Sequence, residues 1–244
     1  KKIQPMFNKN IEYVFHHKGI VHVLQTRPST NSKLGIGMIM QTYHFSLQQV
    51  ADVNFTQDKD NCRDCPMSYN QNGGKSGGCY THTFQHRMGL MAMLKRLNRL
   101  YLVGAIKTID KEEFNNYILR SKLAKPTLLR LGSYGEATLL SLRVVGKLVR
   151  CASTWTGYTH LWTKPEYKGY SKYFMASTHG YFETLVANSL GFRAFESAKT
   201  QDVTKMAMCP AAKEFRGNKK TCIECGACNG THKQKTNNIF IKTH

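Results

Sequence analysis

Residues 126–157, PTLLRLGSYGEATLLSLRVVGKLVRCASTWTG, read as one full turn of an alternating strand–helix chain. PTLLRLG (126–132) is an apolar run of strand length, EATLLSLRVVGKLV (136–149) has aliphatic residues at helical spacing, and RCASTWTG (150–157) is a second strand. Downstream the alternation continues with KPEYKGYSKY (164–173) as a short helix, FMAST (174–178) as a strand, GYFETLVANSLG (180–191) as a helix and FRAFES (192–197) as a strand. Strands separated by helices in this way require parallel pairing and right-handed crossovers.

Upstream, IVHVLQT (20–26) and GIGMIMQTYHF (35–45) flank the turn-rich RPSTNSKLG and add further strands. Residues 83–104 form an amphipathic helix, and DKEEFNNYILRSKLA (110–124) another, with Asp110 and Glu113 in capping-box positions. The expected fold class is α/β, a small or incomplete TIM-like β/α barrel with cysteine-rich metal-binding segments. In this scheme residues 1–208 are the β/α domain that carries the chemistry, with a cysteine-rich loop at 58–82, and 209–244 are a C-terminal metal-binding segment.

The 244 residues carry 35 Lys and Arg against 15 Asp and Glu, a net charge of +20 spread along the chain. Phosphates balance such an excess most simply, so nucleic acid is the expected partner. No run of 18 apolar residues and no basic-then-apolar leader occurs, so neither a membrane nor export is expected and the protein reads as intracellular.

Four cysteines, Cys209, Cys222, Cys225 and Cys228, fall within one glycine-containing stretch, three of them at C-x2-C-x2-C spacing. Thiolates so spaced can turn onto one ion, with zinc the default and an iron-sulfur cluster equally compatible. The loop supplies a second set, Cys62, Cys65, Cys79 and His82, for which a basic glycine-rich phosphate-binding loop is the alternative.

In a β/α fold the chemistry gathers where strands end. Glu136 follows a strand and two glycines, and either reaches a pocket or complements a helix dipole. His160, among Trp155, Tyr158 and Trp162, and Glu196, which could instead form a surface salt bridge with Arg193, are the other catalytic candidates. Arg130 and Ser177 at strand ends, Trp155 and Tyr158 as stacking rings, and Arg87 and Arg96 on the 83–104 helix are the candidates for nucleic-acid or base binding.

The succession LRLGSYGEA, TGYTHLW, FMAST, GFRAFE, CPAAKE and C-x2-C-x2-C resembles the phage DpdA-type 7-deazaguanine DNA transglycosylases, relatives of the tRNA-guanine transglycosylases, over residues 58–230. The resemblance implies a TIM-type barrel, a structural zinc site near the C-terminal end, and exchange of guanine in DNA for a 7-deazaguanine base. It also implies an anti-restriction role in the cytoplasm of the infected host cell. A carboxylate nucleophile would attack C1′ of the sugar while a second group relays protons. That assigns Glu136 as nucleophile and leaves Glu196 and His160 for proton transfer or base recognition. The tRNA enzymes use two aspartates, a departure here.

Overall fold

The computed structural model describes residues 11–29, 31–73, 79, 81, 84–108, 113, 116, 125–199, 206–231 and 236–242. Its strands are β1 (Ile11–His17), β2 (Ile20–Pro28), β3 (Met38–Ser46), β4 (Lys107–Thr108), β5 (Leu128–Tyr134), β6 (Thr154–Thr159), β7 (Met175–Thr178), β8 (Ala194–Ala198), β9 (Ala207–Met208) and β10 (Ile239–Lys242). They form one sheet in the order β4-β1-β2-β3-β5-β6-β7-β8-β10-β9. The β1–β2 and β2–β3 pairs are antiparallel and the other neighbouring pairs are parallel. The helices are α1 (Leu47–Asp52), α2 (Lys59–Cys62), α3 (Phe84–Leu102), α4 (Leu142–Cys151), α5 (Tyr181–Ser189) and α6 (Cys222–Cys225).

The α/β class holds, but the sheet is open. β4 and β9 are its edges and have two residues each, so no closed barrel forms among the described residues. Closure requires strands of matched tilt and stagger all round. Here β1, β2 and β3 pair as an antiparallel meander, without the crossover helices of a barrel. At the other end β10 lies between β8 and β9, which weaves the 209–244 segment into the sheet.

The helix expected over 136–149 divides in two. Ala137–Leu139 is a single 3-10 turn, and Leu140 leaves it extended at φ −73°, ψ 140°. The Ser141 hydroxyl then accepts from the Val144 amide and starts α4 afresh. Val144, Val145, Leu148 and Val149 form the buried stripe of α4, each contributing roughly 1.5–3 kcal/mol of transfer free energy. That stripe meets Leu24, Met40, Leu129, Leu131, Trp155 and Phe174 on one face of the sheet. On the opposite face α3 buries Leu90, Leu94 and Leu97 against Val21, Val23, Phe45 and Tyr134. The alternation of Val21 and Val23 with Leu24 along β2 follows from the two-residue strand period. The helix expected at 110–124 lies outside the described residues apart from Glu113 and Asn116.

Between the layers, His22 and His44 sit opposite each other in the β2–β3 register with Nδ1 atoms 2.8 Å apart, both buried. Burial lowers the His44 pKa to about 3, and burial with the neighbouring imidazoles pushes His22 well below its ordinary value. Folded pKa values below the unfolded value near 6.5 leave stability intact above that pH and remove it as pH falls towards 3. His44 alone should cost about 2 kcal/mol between pH 6.5 and 4.5. Urea titrations at several pH values check this: His44→Gln should flatten the acid limb, and an unchanged limb would discount the pair.

Candidate active site at the carboxyl ends of the parallel strands

Strands β3, β5, β6, β7, β8 and β10 run the same way, so their carboxyl ends share one side of the sheet, and the β1–β2 turn joins them there through the Ile20–Ser46 pairing. At the end of β5 Gly135 takes φ +76°, and a Cβ there would stand 2.5 Å from the His44 carbonyl oxygen. Only glycine allows this close turn. It delivers Glu136 into a buried position, 5% exposed, with its amide donating to the Asn61 carbonyl at 2.6 Å.

The Glu136 carboxylate caps the 3-10 turn and ties two strands together. Oε1 accepts from the amide and hydroxyl of Thr138 at 3.2 and 2.9 Å, and Oε2 accepts from the His160 amide at 3.0 Å. Burial raises its pKa, against the opposing pull of these donors and the Thr159 hydroxyl.

His160 follows β6 and stacks on His179, their rings 5.5 Å apart and within 10° of parallel, with Nε2 atoms separated by 3.4 Å. Burial first, and the second imidazole next, lower the His160 pKa to about 4. His179 Nδ1 is buried and finds no hydrogen-bond partner among the described residues. Nearby Asp64 acts on His160 electrostatically and pairs with Lys164 at 2.7 Å.

Glu196 occupies a different environment. It is fully buried in β8, opposite Thr178 of β7 and Phe240 of β10. Its Oε2 accepts from Thr184 at 2.7 Å, Thr184 bonds in turn to Thr178, and Oε1 has no partner among the described residues. The surface salt bridge to Arg193 is not formed. Arg193 is buried and turns to backbone carbonyls, donating to Asn237, Ala227 and Gly230.

Of the two rings expected to stack on bases, Trp155 is corrected by its burial. Trp155 is a core residue, 5% exposed, whose indole donates to the Tyr173 carbonyl. Tyr158 packs on Phe195 at 4.6 Å, and burial followed by the charge and hydrogen bond of Cys228 pushes its hydroxyl pKa well up. Trp155 thus offers no face for stacking, while Tyr158 is half-buried by surface area. Tyr181 and Phe182, the first residues of α5, are 36% and 81% exposed two and three residues beyond His179. Their apolar helical spacing reads as core, so the sequence hides them. Ser177 is half-buried and its carbonyl receives the Trp162 indole proton. Arg130 donates to Gln41 and lies within electrostatic reach of Cys222. On α3, Arg87 is exposed and Arg96 half-buried.

Both cysteine sets gather. Cys62, Cys65 and Cys79 lie within electrostatic reach of one another, and the first two also of Glu136. Burial, then the neighbouring charges, pushes the Cys62 thiol well up; burial takes Cys65 to about 12. Buried Asp58 shapes this loop by accepting the Tyr69 and Asn70 amides. His82 lies outside the described residues. Cys209, Cys222, Cys225 and Cys228 are likewise mutually coupled, with Cys228 raised to about 12 chiefly by burial. Thr221 and Glu224 cap α6 reciprocally, Gly226 closes it in the left-handed conformation, and the Gly157 amide donates to the Cys228 carbonyl.

Among the described residues no three Cys, His, Asp or Glu side chains are arranged to hold a metal ion. The donor chemistry of the C-terminal set nevertheless fits one: four cysteines are crowded together, and the thiols of Cys209, Cys222 and Cys228, raised by burial, are groups a thiophilic cation would ionise. No described helix is long and apolar enough to cross a membrane. Comparison with family models, curated protein sequences and solved structures finds no match.

Proposed function

We propose that the protein is a DNA-modifying enzyme that exchanges guanine for a 7-deazaguanine base at the carboxyl ends of its parallel strands. The observation that carries this reading is the meeting of Glu136, the His160–His179 pair and the three-cysteine loop at one sheet end, in a chain of net charge +20. Glu136 is the nucleophile: it forms a bond to C1′ as the bond to guanine N9 breaks, after one of its donors yields. The 7-deazaguanine base then attacks C1′ through N9, releases Glu136 and gives up its N9 proton. His160, joined to Glu136 through its amide and largely neutral at pH 7, is better sited to pass protons than Glu196, which is engaged with threonines. Exposed Tyr181 and Phe182 take over the stacking role.

Zinc held by Cys209, Cys222, Cys225 and Cys228 would act as a closed structural crosslink. A second reading, an iron-sulfur nucleic-acid-modifying enzyme, draws on the three thiols beside Glu136. A zinc-containing nucleic-acid-binding protein without catalysis is the remaining outcome.

The test is mass spectrometry of nucleosides from DNA incubated with the protein and a 7-deazaguanine base, alongside metal analysis of anaerobic preparations. A 7-deazaguanine nucleoside with zinc supports base exchange. Iron and sulfide without exchange favour the second reading, and zinc without exchange the third. DNA affinity should fall steeply with salt, about tenfold or more between 50 and 200 mM. Salt-independent binding in anisotropy titrations would remove nucleic acid as the partner.

A further inference from the structure

Near Glu136, whose charge reaches Tyr170 of its wall, a cleft of about 340 Å³ opens among the β1–β2 turn, the α2 end and the start of α4. Lys18, Arg63, His17, His22, Ser141 and Tyr170 contribute to its walls, the remainder being aliphatic, and among the described residues no carboxylate lines it. We propose that this cleft is a phosphate-ester binding site, with Lys18 and Arg63 as its cationic jaws.

Two observations converge. The first is charge: Lys18 and Arg63 are exposed at the cleft, and a guanidinium with an ammonium is the usual pairing for a phosphate. The second is backbone conformation. Three non-glycine residues among those described have positive φ, Lys18, Val53 and Arg63, and two of the three supply these charges. Lys18 has φ +47° and is followed by Gly19 at +77°, the signs of a type I′ hairpin turn that favours Asn, Asp or Gly. Arg63 has φ +51°, ψ −124°, close to the first central position of a type II′ turn, where glycine belongs. A merely solvated cation gains nothing from such a conformation, whereas one aimed at a ligand does.

The phosphate belongs either to an internucleotide diester or to a free nucleotide. Its position near Glu136 makes it the phosphate subsite of the proposed base exchange, and to that extent it rests on that reading. The cleft and its cations do not.

The full chain is compared with Lys18→Gly, Arg63→Gly and the charge control Lys242→Gln in anisotropy titrations of a labelled DNA oligonucleotide, with guanosine 5′-monophosphate and guanosine as competitors. Each glycine variant should bind about tenfold more weakly. Its slope of log K against log salt should shrink by about one. Its melting temperature should rise, because glycine fits these turns better. Competition by the monophosphate but not the nucleoside identifies a free nucleotide; no competition, with the same variant losses, identifies the diester. Wild-type affinity and slope in both glycine variants, or equal losses in Lys242→Gln, would overturn the site. Should Arg63→Gly disturb the adjoining cysteine loop, Lys18→Gly in the separate hairpin decides. Because the readout is binding, failure to detect base exchange sinks the enzyme reading and leaves this inference to its own test.

Discussion

Glu136→Gln should reduce base exchange by roughly a thousandfold or more, as expected when a covalent nucleophile is replaced by an amide. The substitution keeps shape but reverses one polarity. Both carboxylate oxygens of Glu136 accept from backbone amides, of Thr138 and of His160. One amide of the pair must therefore face an NH2 group, at a cost of about 1–3 kcal/mol for the buried mismatch. Oligonucleotide affinity should stay within about threefold, since no phosphate contact is lost. A purely capping role predicts the stability loss alone. Wild-type exchange in a folded Glu136→Gln protein would therefore end the nucleophile assignment, and the parallel variant His160→Asn separates proton transfer from capping.

Arg193→Ala should destabilise the protein by about 4 kcal/mol or more, among the largest effects a single side chain can have. The guanidinium donates four hydrogen bonds to the carbonyls of Asn237, Ala227 and Gly230. Charge-assisted bonds are worth roughly 1.5–3 kcal/mol each, and their removal strands buried acceptors. The loss falls where β10 approaches β8 and where the chain leaves Cys228, so metal content should drop together with stability. Arg193→Lys should rescue little, because an ammonium cannot span three carbonyls in a planar fork. Chemical denaturation with metal analysis checks both; a variant within about 1 kcal/mol of wild type would show that the clamp is dispensable.

The regular half of the fold was legible in the sequence because its signals are local. PTLLRLG, FMAST and FRAFES are short apolar runs bounded by turns, and they became β5, β7 and β8 within two residues of the expected limits. Closure was not legible. Whether the edge strands meet depends on tilt and stagger summed over the sheet, and on two-residue strands such as β4 and β9 that carry no periodicity. At the site, Glu136 and His160 were found from their positions after strands, and the backbone hydrogen bond joins them. Glu196 was grouped with them by the same rule, yet its register opposite Thr178 and Phe240 sets it inside the sheet. Trp155 differs from the expectation because an aromatic near a strand end looks the same in sequence whether it faces a pocket or the core.

Strand β6 changes partners halfway along its length: Thr154–Gly157 pair with β5, and Tyr158 and Thr159 pair with β7. At the changeover the Gly157 amide holds the Cys228 carbonyl, the Tyr158 ring meets the Cys228 thiol, and the next two residues grip Glu136. Four consecutive residues thus act as a lever between the cysteine turn and the carboxylate. Loosening the turn would be transmitted as a misplacement of Glu136, so an agent that attacks the Cys209–Cys228 thiols would reach the carboxylate from a distance.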